Sequence, residues 1–169
     1  MQSVLSFRNI AIALLILWFL ALAQNAWYWQ NLPERVATHF NAAGKPDGWM
    51  GRDAATMMMI GLQTLMPLLF VAIAYMLYFI PPAMINIPHR EFWLHPDRRQ
   101  ASISFVARST AAFSLGLSLF LLGMNHLTFL ANTRHGVLNP LGFWALLGTF
   151  LAFSGAWTAW LIMRFRIPK

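Results

Sequence analysis

Residues 31–53 read NLPERVATHFNAAGKPDGWMGRD, a polar run set between long apolar stretches at 10–29 and 57–80. Two more apolar stretches follow at 109–131 and 141–163, and none of the four holds Asp, Glu, Lys or Arg. Each is near the roughly 20 residues a helix needs to cross a hydrocarbon core about 30 Å thick. Lipid offers the backbone no hydrogen bonds, and unbroken runs of this length suit helices rather than the alternating strands of a barrel. The expected fold class is therefore all-α: a four-transmembrane-helix bundle forming one membrane domain over 1–169, with a structured loop at 30–54 and a connector at 81–108.

Composition agrees, since 59% of positions are hydrophobic and only 10% charged, whereas soluble domains carry roughly a quarter charged residues. The chain has twelve Lys and Arg against five Asp and Glu. These cations are scattered between spans rather than gathered on one face, which argues against nucleic acid and for membrane orientation. With both termini inside, Arg8, Arg90, Arg98, Arg99, Arg108, Arg164, Arg166 and Lys169 are cytoplasmic, and Arg35, Lys45, Arg52 and Arg134 lie outside. The 30–54 loop is then extracytoplasmic. No cysteine is present, which excludes a disulfide framework and thiolate chemistry.

Arg8 before an apolar run and Ala21-Leu22-Ala23 resemble a cleavable signal. The run continues into Trp27, Tyr28 and Trp29, an interfacial aromatic belt, so an uncleaved anchor is expected. Gln24 and Asn25 fall near the outer end of this helix and are expected to bond the loop or headgroups. In the loop, alternation of Val36, Thr38 and Phe40 with Arg35, Ala37 and His39 predicts an extended segment with one apolar face. Lys45-Pro46-Asp47-Gly48 fits a type I turn, and Asp53 is placed to cap the second helix. Within that helix Pro67 predicts a kink, with Gln63 or Thr64 meeting the freed carbonyl.

The connector holds NIPHREFWLHPDRR at 86–99. Pro96 and Asp97 suit a helix start that runs on through Arg108 into the third span. Phe92 and Trp93 are expected in the headgroup layer; Glu91, Trp93, Arg98 and Arg99 form a second candidate site, and Arg98 and Arg99 would attract anionic lipid. Small residues recur at helical spacing in the third span (Ser109, Ala112, Gly116, Gly123) and the fourth (Gly148, Ala152, Gly155, Ala159), so helices should meet along both rows, within the chain or in a homodimer. Asn139-Pro140 reads as cap then first turn.

His39, Asp47, Asn125, His126 and His135 all fall at the outer face. Of these His39, Asp47, His126 and His135 are the weak metal candidates, because no pair has a recognised ligand spacing. There is no serine elbow, phosphate-cradling glycine loop or paired carboxylate, so catalysis is disfavoured and no cofactor is expected.

The outer run resembles a domain-of-unknown-function family of small bacterial membrane proteins, DUF1648, whose domain also occurs in SdpI-like immunity proteins. The likeness rests on Leu32-Pro33, His39-Phe40-Asn41, Gly44 and Pro46-Asp47-Gly48-Trp49, with the 86–99 run as a companion stretch. Phe92, His95 and Asp97 stand where the resemblance implies tyrosine, a small residue and glutamate. It implies a bacterial inner-membrane protein and, in some relatives, resistance to a secreted peptide toxin together with sequestering of a repressor at the membrane. The combined reading is a non-enzymatic protein whose outer loop binds a peptide, protein or lipid partner through His39, Asn41, Asp47 and Trp49. Two alternatives stay open: a small-molecule or metal-handling protein using the His/Asp cluster, and an accessory subunit of a larger membrane complex.

Overall fold

The computed structural model describes residues 5–167, so Lys169 lies outside the described residues. Helix α1 (Phe7–Asn31) leads through strands β1 (Arg35–Phe40) and β2 (Pro46–Gly51) into α2 (Arg52–Met76). A 3-10 turn (Pro82–Met84) and short α3 (Arg90–Trp93) precede α4 (Pro96–Leu130), which continues as one π-helical turn (Ala131–His135) before α5 (Pro140–Arg164). Among the described residues, four helices are long and apolar enough to cross a membrane. At 1.5 Å per residue, a 25-residue helix such as α1 reaches about 37 Å, enough for the hydrocarbon core and part of both interfaces. This is a multi-pass membrane protein with one feature beyond an all-α reading, the two-stranded hairpin between α1 and α2.

Local chemistry sets the helix ends. Ser6 accepts from the Asn9 amide at the start of α1, and Asn139 accepts from the Gly142 amide ahead of Pro140. Pro96 and Asp97 open α4, which runs unbroken through Arg108 into its apolar part. Helix α2 starts at Gly51, its N-cap, and Asp53 lies in the first turn instead, where its carboxylate accepts from the Trp29 indole at 2.7 Å. The expected cap is thus corrected: β2 delivers the chain into the helix in extended conformation at Gly51, two residues too early for Asp53.

Helix α4 is central and packs against α1, α2 and α5. Near the connector end, Ala107, Ala111 and Ala112 of α4 meet Ile10 of α1 and Ala74 of α2 in one buried cluster. Ser114 and Ser118 extend this small-residue seam and donate to the carbonyls of Ala111 and Ser114, so their burial leaves no hydroxyl unmet. Pro67 sits inside the continuous α2. Thr64 donates to the Ile60 carbonyl, while Gln63 turns to α1, so neither makes the repair expected of it.

Within the chain, only one of the two expected small-residue rows is a contact. A Cβ on Gly116 would lie 2.4 Å from the Phe153 ring and one on Gly123 2.8 Å from Leu146, whereas Gly148 and Gly155 have nothing within 4 Å. The row Gly148, Ala152, Gly155, Ala159 is exposed. The physical reason is bulky-into-small packing: α5 turns its aromatic face to α4, with Phe153 stacked on Phe113, Phe150 on Phe120 and Trp160 against Phe105. Gly116→Leu should therefore cost about 1 to 3 kcal/mol by overpacking, and Gly155→Leu should leave the melting transition in detergent unchanged. Equal effects at both positions would contradict this packing.

Candidate functional site: the hairpin and the polar layer beneath it

Leu32-Pro33 ends α1, and the strands pair antiparallel with Val36 opposite Met50 and Ala37 opposite Trp49. The turn falls at 41–45 and not at Lys45–Gly48 as the type I motif suggested. Asn41 organises it: its side-chain oxygen accepts from the amides of Ala43 and Lys45, and its own N–H donates to the Lys45 carbonyl. Gly44 takes a φ of 75°, a conformation that costs glycine little. Pro46 is thereby shifted to the first position of β2, where a missing N–H is tolerated. Gly48 makes room for His39 across the ribbon, since a Cβ there would come within 2.9 Å of the His39 Cβ.

Val36 is buried, as its apolar character required, but so is its neighbour Ala37, which alternation put on the other face. The ribbon is irregular on both sides of His39. The end of α4 also covers Ala37 by hydrogen bonding. Asn132 accepts from the Ala37 N–H at 2.7 Å and donates to the Ala37 carbonyl at 2.9 Å, as a neighbouring strand would. A second tie runs from the Leu138 N–H to the Gly44 carbonyl at 2.8 Å. The π-turn brings Asn132 into this position, consistent with such turns serving local needs rather than helix stability.

On this platform His39 and Asp47 form a side-chain pair, both solvent-accessible. Trp49 is exposed with the Arg35 guanidinium 5.0 Å over its ring. Asn41, expected as a presented group, is engaged in the turn. His126 is bonded through Nδ1 to the Tyr28 hydroxyl at 2.6 Å, while His135 ends the π-turn. The four metal candidates therefore do not converge, and no group of three His, Asp or Glu side chains among the described residues is placed to hold a metal ion.

Beneath the hairpin lies a polar layer that sequence reasoning missed. Asn25, Gln63 and Asn125 are buried at 2%, 7% and 6% exposure on three different helices. Asn25 donates to Gln63 at 2.6 Å and to the Ala21 carbonyl, Asn125 donates to Asn25 and Gln24, and Gln63 donates to Gln24. Gln24 in turn donates to the Tyr28 hydroxyl and the Leu122 carbonyl. A polar side chain inside lipid is costly unless bonded, and here each amide closes another's valences. Tyr28 and Phe129 stack at 3.9 Å between this layer and the strands. The available signal was depth: Asn25 lies near the end of α1, Gln63 in the first half of α2 and Asn125 near the end of α4, one level in three packed helices of which α2 runs opposite to the other two.

The second candidate site is differently built. Trp93 is docked, its indole donating to the Phe165 carbonyl at 2.8 Å and its carbonyl accepting from Ser102. Arg164 lies 5.0 Å from its ring and 5.1 Å from that of Phe105. Arg98 stacks 4.0 Å over Phe92, while Glu91 and Arg99 are exposed. Trp93 thus ties the connector to the end of α5. A cavity of 460 Å³ between α1, α2 and α4, lined by Leu14, Pro67, Val71 and Leu122, is apolar apart from Trp18, Gln63, Thr64 and Ser118; the Trp18 indole donates to Thr64 at 3.0 Å.

Fold and site together define a multi-pass membrane protein in which the first two spans are joined by a docked β-hairpin. Residues 16–64 match the model of a family described as a domain of unknown function, DUF1648, the same family the hairpin sequence resembles. The matched stretch takes in most of α1, the whole hairpin and half of α2. No curated protein and no solved structure matches the chain.

Proposed function

We propose that the protein is a binding protein of the bacterial inner membrane, both termini cytoplasmic, whose extracytoplasmic hairpin engages a peptide, protein or lipid partner through His39, Asp47 and Trp49. The observation that carries this reading is the docking of the hairpin by Asn132, which holds an exposed His–Asp pair and an exposed tryptophan on a fixed support. Preorganisation of this kind lowers the ordering cost of binding. Orientation is supported by seven basic residues at the connector end against four at the hairpin end among the described residues. Arg98 and Arg99 at the connector then face anionic lipid. Immunity or signalling is the nearest analogy, through the family resemblance, and binding rather than catalysis is the activity proposed.

The absence of cysteine allows a clean test. Ala43→Cys in intact cells should react with an impermeant maleimide from outside, and Gln100→Cys should not. A benzophenone carried on Ala43→Cys should give an adduct that His39→Ala or Asp47→Ala diminishes without changing thermal stability. Labelling at Gln100→Cys alone would reverse the topology, and an adduct indifferent to both alanine variants would place binding elsewhere.

A further inference from the structure

The two edges of the hairpin are not equivalent. The Arg52 N–H donates to the Glu34 carbonyl at 2.9 Å, which makes 34 and 52 a hydrogen-bonded pair. Pairs alternate in an antiparallel ribbon, so Arg35 with Gly51 and Ala37 with Trp49 are non-bonded pairs whose N–H and C=O groups point outward. The Ala37–Asn132 bonds confirm the phase independently, because Ala37 offers both groups to the end of α4. By the same alternation the Trp49 N–H and C=O and the Gly51 N–H point out along the opposite edge, on β2, whose residues are exposed or half-buried.

We infer that this β2 edge is a strand-addition site for an extended peptide segment, which pairs its backbone with Trp49 and Gly51. The inference rests on the proposed binding role of the hairpin and names its partner class. An edge of alternating donors and acceptors is matched by another strand. A lipid phosphate would accept from the Trp49 N–H but leave the carbonyl unmet. Asn132 already illustrates the match on the other edge, with one donor and one acceptor set against a single residue. The Trp49 ring and the Arg35 guanidinium over it flank the edge and supply a side-chain contact for an apolar or aromatic residue of the incoming strand.

Full-length protein in lipid nanodiscs is used to select binders from a phage-displayed library of linear peptides, which are then resynthesised with single N-methyl groups. Trp49→Pro removes the outward N–H without touching a bond within the hairpin, and Trp49→Thr keeps that N–H while removing the ring. Both variants lack the ring, so selected peptides should lose about tenfold more affinity on Trp49→Pro than on Trp49→Thr, the worth of roughly one backbone hydrogen bond. They should also show N-methyl sensitivity at alternate positions. The N-methyl series keeps the test decisive even if Trp49→Pro disturbs the ribbon. Peptides that His39→Ala weakens but that ignore Trp49→Pro and show no alternation would overturn the edge inference and leave the hairpin reading intact. Failure to select any peptide would also overturn it, while the cross-linking result at Ala43→Cys would still decide the broader reading.

Discussion

Asn132→Ala should release the hairpin while leaving the four helices assembled. The substitution strips the Ala37 N–H and C=O of their partner and removes the donor to the Thr128 carbonyl. An unmet buried polar group costs about 1 to 3 kcal/mol; with two such groups at the bundle rim, partly rehydrated, the expected loss is about 2 to 4 kcal/mol. Asn132→Asp keeps the acceptor for the Ala37 N–H and loses the donor, so it should fall between wild type and alanine. Thermal unfolding in detergent, followed alongside amide exchange at Ala37, would show both effects. Unchanged exchange at Ala37 in Asn132→Ala would mean that burial of Val36 and the Leu138–Gly44 bond hold the hairpin without Asn132.

Asn25→Leu should be as damaging, for a reason seated inside the bundle. It deprives the Gln63 side-chain oxygen of its donor and Asn125 of one of its two acceptors. Two compromised amides in apolar surroundings carry an expected loss of about 2 to 4 kcal/mol. Interhelical hydrogen bonds in membranes average only about 0.6 kcal/mol in double-mutant cycles, so the damage comes chiefly from the orphaned partners. The combined variant Asn25→Leu, Gln63→Leu, Asn125→Leu should therefore cost less than the sum of the three single changes. Additive losses in reversible unfolding would show three independent contacts instead of a network.

The sequence is legible where one residue type has one dominant physical effect. Long uncharged runs give the spans, Pro96 with Asp97 gives the start of α4, and the residues of the outer run mark the family that its match at 16–64 bears out. Legibility fails where two local motifs compete. Lys45–Gly48 and Asn41–Gly44 both suit turns, and Asn41 prevails because its side chain meets two amides that Pro46-Asp47 cannot. It fails again where partners are distant in the chain: Asn132 reaches Ala37 across 95 positions and Asn125 reaches Asn25 across 100. The exposed Gly155 row is a related case, since small residues permit close approach but do not say whether a helix turns that face toward its own chain.

Residue-resolved amide exchange in lipid nanodiscs tests most directly whether the hairpin is an ordered platform with one covered and one open edge. The Val36 and Met50 amides of the hydrogen-bonded pair, and the Ala37 amide on Asn132, should exchange slowly, while the Trp49 amide on the open edge exchanges fast. Complete exchange of all four within seconds would show a floppy loop and contradict the account.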